Sequence, residues 1–220
     1  MKKYSAVVFD LDGTLLNTLD DLHGAVNYTL QTMGFPLRTQ DEVRLFVGNG
    51  IRKLIQRALP ENHKDEGTVS EAYRIFCNFY EEHCADLTAP YDGIPELIAR
   101  LSQEGLPMSV VSNKDEDASI RLCSRFFGDG AFVSVLGSRP DRPRKPDPSG
   151  VFSVLSAMGG SPRTAVYVGD SDVDFFTAAN AGMDCILASW GFRGRAQLEK
   201  LPNAVIVDDT EQLLSVLLGE

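Results

Sequence analysis

Ala6-Val7-Val8-Phe9-Asp10-Leu11-Asp12-Gly13-Thr14-Leu15 is the stretch on which the reading of this chain turns. Ala6 to Phe9 form an unbroken apolar run, the pattern of a strand buried on both faces, as in a parallel sheet. The run ends in two carboxylates, and Gly13 breaks the strand. Asp10 and Asp12 are two residues apart, so an extended chain points them to the same side. Acids at the C-terminal end of a buried strand stand where open α/β sheets bind their ligands. A calcium loop is a poor match. It needs Gly at position six and oxygen ligands at odd positions, whereas here Gly is fourth and Leu15 and Leu16 occupy ligand places.

Outward from this stretch the composition is that of an ordinary globular chain. It has 220 residues, 43% apolar and 24% charged, with net charge −10. That charge argues against nucleic-acid and anionic membrane partners, both of which call for clustered Lys and Arg. No apolar run reaches the length of a membrane span, and the N-terminus lacks a signal-peptide core. Cys77, Cys84, Cys123 and Cys185 show no CxxC spacing and are read as reduced thiols of a cytoplasmic protein. His23, His63 and His83 are scattered, which suggests no zinc site.

After Thr14 the periodicity changes. Leu19, Leu22, Val26, Leu30 and Met33 predict a helix over 18–33, stopped by Gly34. Further helices are predicted over 40–47, from 51 to 59 after Gly48-Asn49-Gly50, and over 68–84. Strand patterns return at 108–112, 133–136, 165–170, 185–188 and 204–207, alternating with helical stretches at 93–103, 116–126, 148–158, 172–180 and 209–218. Alternation of this kind predicts a doubly wound parallel sheet. The expected organisation is an α/β core of residues 1–15 and 88–220, with an all-α cap domain of 16–87 inserted and placed to act as a lid.

Three more strand ends carry polar groups. Ser112-Asn113 suits either a turn or a phosphoryl group. Lys145, in Lys-Pro-Asp-Pro, is either a solvated turn residue or a rigidly held point charge. In Gly169-Asp170-Ser171-Asp172-Val173-Asp174, Ser171 and Asp174 have capping-box spacing, which leaves Asp170 unexplained. Asp10, Asp12, Asp170 and Asp174 would crowd one cleft, where like charges about 4 Å apart repel by roughly 4 kcal/mol at an effective dielectric near 20. All-oxygen ligands favour Mg²⁺ as the cation that relieves this, and with a lysine, a hydroxyl and backbone amides the set suits phosphoryl transfer.

In this order, the four motifs resemble those of the haloacid dehalogenase superfamily. The helical insertion resembles its C1-type cap, and the core resembles its Rossmann-like fold. Val47-Gly48-Asn49-Gly50 with Ile-Arg-Lys-Leu, and Ser189-Trp190-Gly191-Phe192-Arg193, look like the phosphoglycolate phosphatase branch. The resemblance implies that Asp10 is the nucleophile and Asp12 the acid and base. It implies that Mg²⁺ is held by Asp10, the carbonyl of Asp12 and Asp170, and that Thr14, Ser112, Asn113 and Lys145 hold the phosphoryl group, with Asp174 in support. Asn49, Arg52 and Lys53 of the cap are expected to bind the anionic part of the substrate. The expected reaction is Mg²⁺-dependent hydrolysis of a small phosphorylated metabolite, 2-phosphoglycolate first, by a monomer or homodimer. Alternatives are a β-phosphoglucomutase-like phosphosugar mutase, a phosphatase for another small phosphate or pyrophosphate, and a non-catalytic binding module. A phosphonatase-like Schiff base on Lys53 is set aside, because that branch carries a small apolar residue where this chain has Asp12.

Overall fold

The run Ala6–Phe9 is a strand whose four residues are all buried. Backbone groups in such a strand find partners only along its edges, and here both edges are used: it pairs in parallel with Met108–Val110 on one side and Ala165–Val168 on the other. The computed structural model describes residues 4–219. In chain order the elements are β1 (Ala6–Phe9), β2 (Leu16–Asn17), α1 (Leu19–Thr32), α2 (Gln40–Phe46), α3 (Ile51–Ala58), α4 (Glu66–His83), β3 (Ala89–Pro90), α5 (Ile94–Gln103), β4 (Met108–Asp115), α6 (Glu116–Phe127), β5 (Ser134–Ser138), α7 (Ser149–Ala157), β6 (Ala165–Gly169), α8 (Asp172–Ala181), β7 (Asp184–Ala188), α9 (Arg195–Leu198), β8 (Val205–Val207) and α10 (Thr210–Leu218), with a 3-10 turn at Glu61–His63. The chain forms two compact units, one of residues 1–16 and 90–220, the other Asn17–Ala89. The short strands β2 and β3 pair with each other where the chain passes between the units.

The larger unit holds a six-stranded sheet of order β5-β4-β1-β6-β7-β8, parallel throughout. It is the doubly wound sheet that the alternating pattern predicts. Counted along the core, that order is 3-2-1-4-5-6, so the winding reverses between β1 and β6, where such sheets open a crevice for ligands. On one face Ala6, Val8, Val111, Val151, Val154, Leu155, Ala165 and Tyr167 form one buried cluster. Two predicted strands differ in extent. The strand predicted over 108–112 runs on to Asp115, with its register broken after Val111. The strand predicted over 133–136 covers Ser134–Ser138. Polar side chains suggested an end at Ser112, but Ser112, Asn113 and Lys114 are all buried; Asn113 and Lys114 have polar partners distant in sequence, and Ser112 bonds the Lys114 N–H. The predicted 40–47 and 51–59 helices are α2 and α3, capped by a Thr39–Glu42 capping box and by Gly50 respectively. The helix α9 is too short to show periodicity and was not predicted.

The smaller unit is all helical apart from the ends of β2 and β3. Leu22, Val26 and Leu30 of α1, Leu54 and Ile55 of α3, and Val69, Ala72, Phe76 and Tyr80 of α4 are among its buried apolar residues. Asp21 is also buried. Its carboxylate accepts hydrogen bonds from the backbone N–H groups of Leu87 and Thr88 and from the Thr88 hydroxyl, at 2.7–3.2 Å, and so ties the returning chain to α1. Bonds to a buried charge are stronger than neutral ones. Asp21→Ala is expected to cost about 3 kcal/mol of stability, measured by urea unfolding. A loss under about 1 kcal/mol would remove this anchor from the account.

Among the described residues no helix is long and apolar enough to cross a membrane, and the four cysteines are free thiols.

Candidate active site

Asp10 lies one residue beyond β1, its N–H still bonded to the Val168 carbonyl of β6 at 2.8 Å. Asp170 lies one residue beyond β6, and Asp174 sits in the first turn of α8. One carboxylate oxygen from each of Asp10, Asp170 and Asp174 lies within 4.8 Å of the others, and all three residues are buried. They converge because neighbouring parallel strands end together at the reversal of the sheet.

Lys145 enters this cluster from the loop before α7. Its ammonium is 2.7 Å from Asp10 Oδ1 and 2.7 Å from Asp174 Oδ1, with only 4% of the side chain exposed. It also donates to the Tyr167 hydroxyl at 3.0 Å, and that hydroxyl donates to the Val111 carbonyl at 3.1 Å. The ammonium is the close charged partner of the buried Asp10 Oδ1. Asn113 fixes the Lys145 backbone. Its Oδ1 accepts from Lys145 N–H at 2.9 Å and its Nδ2 donates to the Lys145 carbonyl at 3.2 Å. Asp174 has two tasks. Oδ1 holds Lys145, while Oδ2 accepts from the N–H groups of Asp170 and Ser171 and from the Ser171 hydroxyl, closing the predicted capping box.

Burial, followed by the charge of Asp174, pushes Asp10 up to about 7, with Lys145 pulling in the other direction. Burial, then Asp174 and Asp10, hold Asp170 well above the usual carboxylate range. Burial alone would lower Lys145, but Asp10 and Asp174 outweigh it, so the ammonium is raised well above its ordinary value. If all three carboxylates are ionised, one ammonium offsets only one of them, and the raised Asp10 and Asp170 are the mark of that crowding. Three convergent carboxylate oxygens with one ammonium between them fit a hard divalent cation. Gly13 serves the same packing. It has φ +88°, and a Cβ there would fall on the Asp170 carboxylate.

Asp12 belongs to a neighbouring pair. Lys114 Nζ lies 3.3 Å from its Oδ1 and 3.4 Å from its Oδ2, and the lysine side chain is 2% exposed. Ser112 Oγ accepts from Lys114 N–H at 3.3 Å. Thr14 is fully buried and its hydroxyl has no hydrogen-bond partner. The sequence reading missed Lys114 and Tyr167. A lysine closing the buried apolar run Val110-Val111 was the available signal for the first. For the second there was none, since a tyrosine in a buried strand reads as core.

Asn49, Arg52 and Lys53 belong to the smaller unit. Asn49 Oδ1 accepts from Arg57 Nη2 at 2.7 Å. Arg52 is paired with Glu66 and donates to Ser70, and Lys53 donates to Gln56. Arg52 and Lys53, expected to meet the anionic part of the substrate, are therefore engaged with side chains of their own unit.

Residues 7–188 match the family model described as haloacid dehalogenase-like hydrolase. The phosphoglycolate phosphatase of Cereibacter sphaeroides is 35% identical over 217 residues, covering 96% of each chain. That of Aquifex aeolicus is 32% identical, covering 84% of this chain and 85% of its own. Among solved structures, a protein of Lactobacillus delbrueckii subsp. bulgaricus superposes with TM-score 0.94 at 34% identity, covering all of both chains. CbbY from Rhodobacter sphaeroides, solved in complex with phosphate, superposes with TM-score 0.80 at 26% identity, covering 97% of this chain and 99% of its own. Fold, strand-end acids and a family match spanning most of the core agree, and the chain belongs to the haloacid dehalogenase-like hydrolases.

Proposed function

We propose that the enzyme hydrolyses 2-phosphoglycolate in a Mg²⁺-dependent reaction that passes through an aspartyl phosphate on Asp10. It is a phosphoric monoester hydrolase. The observation that carries the finer reading is the convergence of three buried carboxylates, Asp10, Asp170 and Asp174, on the single ammonium of Lys145, a set that would accept a dianionic phosphoryl group only with a divalent cation to balance it. The names of the Cereibacter and Aquifex relatives support the substrate, and the phosphate held by the Rhodobacter relative supports a phosphoryl site on this fold.

In this reading an Asp10 oxygen attacks phosphorus, and the bond from phosphorus to the leaving alkoxide oxygen breaks. Asp12 gives that oxygen its proton. Water then attacks the phosphorus of the aspartyl phosphate, Asp12 takes the proton, and the bond to Asp10 breaks to return the carboxylate and inorganic phosphate. Lys145 and the Ser112 and Thr14 hydroxyls hold the phosphoryl oxygens. Asn113, Asp174 and Tyr167 set the position of Lys145, and Lys114 sets that of Asp12. Asp10, Asp170 and the Asp12 carbonyl would hold Mg²⁺, which would supply the positive charge that offsets repulsion between the carboxylate and the phosphoryl group.

The metal-free fold carries a pH signature of this cluster. An unfolded Asp titrates near 4, and folded Asp10 at about 7. Between those values the folded state keeps a proton that the unfolded state releases. Stability therefore falls as pH rises from about 4 to about 7. Asp170, raised for the same reason, acts with the same sign, while Lys145 stays charged throughout. Melting curves in chelator are expected to show this slope, and added Mg²⁺ to flatten it. A slope unchanged by saturating Mg²⁺ would remove the cation from the cluster.

Substrate choice is assigned to Asn49, Arg52 and Lys53. The test compares 2-phosphoglycolate with an aryl phosphate that has a neutral leaving group. Arg52→Ala with Lys53→Ala is expected to lower kcat/KM for 2-phosphoglycolate at least about tenfold, about 1.4 kcal/mol, with little effect on the aryl ester. Equal losses on both substrates would deny these residues the selection. Sugar-phosphate isomerisation without phosphate release would replace the hydrolase reading by a mutase one.

A further inference from the structure

The segment Ser189–Arg193 follows β7, and the proposed mechanism gives it no task. It nevertheless reaches two elements of the site. Trp190 Nε1–H donates to the Thr14 carbonyl at 3.1 Å. Two residues later, the Phe192 backbone N–H donates to Asp170 Oδ2 at 2.6 Å, in a bond buried at both ends. Between them, Gly191 passes so close to the site that a Cβ would fall on the Asp170 side chain and the Gly13 carbonyl. The segment is held at both ends. Ser189 N–H donates to the Val207 carbonyl at 2.9 Å and its hydroxyl to Asp208 at 2.6 Å, and Arg193 pairs with Asp172 of α8 at 3.5 Å.

We propose that Trp190-Gly191-Phe192 is a positioning turn for the cation site, orienting the Asp170 carboxylate through the Phe192 N–H and joining it to the loop after β1 through the Trp190–Thr14 bond. The inference rests on the divalent-cation reading above. A carboxylate is free to rotate about its terminal bond, and a cation requires its ligand oxygens to be in place before binding. A buried N–H on one oxygen, with no space behind it, fixes that rotation at no cost to the charge. Groups that orient a metal ligand in this way typically govern metal affinity by about 10- to 100-fold. The role of Gly191 is spatial. Its neighbours leave room for a hydrogen but not for a methyl group.

The experiment titrates Mn²⁺ into the full, metal-stripped chain at fixed pH and follows free Mn²⁺ by electron paramagnetic resonance. Melting in chelator serves as the control for folding. Gly191→Ala is expected to weaken Mn²⁺ binding at least about tenfold while melting cooperatively, and raising Mg²⁺ is expected to restore more turnover than raising substrate. A purely structural role would lower the melting temperature without moving the metal affinity of the folded fraction. If Gly191→Ala does not fold, Trp190→Phe decides. It keeps an aromatic ring and removes the N–H donated to Thr14, and a threefold or greater loss of Mn²⁺ affinity is expected. Wild-type Mn²⁺ affinity in the deciding variant overturns this inference alone. Absence of Mn²⁺ binding by the wild-type chain overturns the cation reading and this inference with it.

Discussion

Asp10→Asn is expected to reduce kcat by at least about 10⁴-fold, roughly 5 kcal/mol of transition-state stabilisation, and to leave the melting temperature within a few degrees of wild type. The amide keeps the size of the side chain but is not a nucleophile and brings no charge to a cation. Folding tolerates the change because Asp10 is one of three buried carboxylates crowded together. Removing one relieves repulsion while Lys145 keeps its 2.7 Å contact with Asp174. Phosphate release measured at saturating substrate and Mg²⁺ checks the first part, and thermal melting the second. A variant that retained a tenth of the activity would exclude Asp10 as the attacking group.

Lys145→Met is expected to fail in both respects. With this ammonium gone, Asp10 and Asp174 lose the cation that lies 2.7 Å from each. Removing one partner from a buried ion pair costs about 3–5 kcal/mol, and the methionine brings no compensating charge. The deficit should be largest near neutral pH in chelator. It should shrink toward pH 4, because the buried carboxyls then take up protons, and Asp10 does so more readily once the opposing charge of Lys145 is gone. Turnover should fall by at least about 10³-fold even at pH values where the variant is folded, about 4 kcal/mol, because the phosphoryl oxygens lose their point charge. Urea unfolding across pH and steady-state kinetics separate the two effects. Wild-type stability at pH 7 without metal would mean that Lys145 is not the counter-charge of the cluster.

The two predictions draw on different degrees of legibility. Asp10 announced itself. An apolar run of four residues ending in Asp-x-Asp-Gly has few readings, and the alternating pattern of the later chain fixed the sheet to which that run belongs. The acids of β1 and β6 were readable because strand ends carry their own local signal, and the Ser171–Asp174 capping box is written in four consecutive residues. What could not be read is whatever depends on a partner distant in sequence. Nothing in Ser112-Asn113-Lys114 says that Asn113 holds the Lys145 backbone or that Lys114 lies against Asp12. These residues sit where β4 runs past its expected end, and Ser112-Asn113 left a turn and a phosphoryl group equally open because their burial was invisible. Arg52 and Lys53 show the converse limit. Helical spacing put both in the first turn of α3, yet it gave no sign that Glu66, Ser70 and Gln56 would occupy them. The Ser189–Arg193 segment was legible only as a resemblance to the phosphoglycolate phosphatase branch, and only its approach to Asp170 gives the missing side chain of Gly191 a meaning.

In the proposed mechanism the phosphoryl group passes through Asp10, and it can be trapped there. The enzyme is mixed with 2-phosphoglycolate and Mg²⁺, quenched in acid within milliseconds, digested and examined by mass spectrometry. The account predicts an acid-stable, hydroxylamine-labile phosphoryl group on the peptide containing Asp10, formed at a rate no slower than turnover and missing from Asp10→Asn. A phosphoryl group on any other residue, or full turnover with none on the chain, would contradict it.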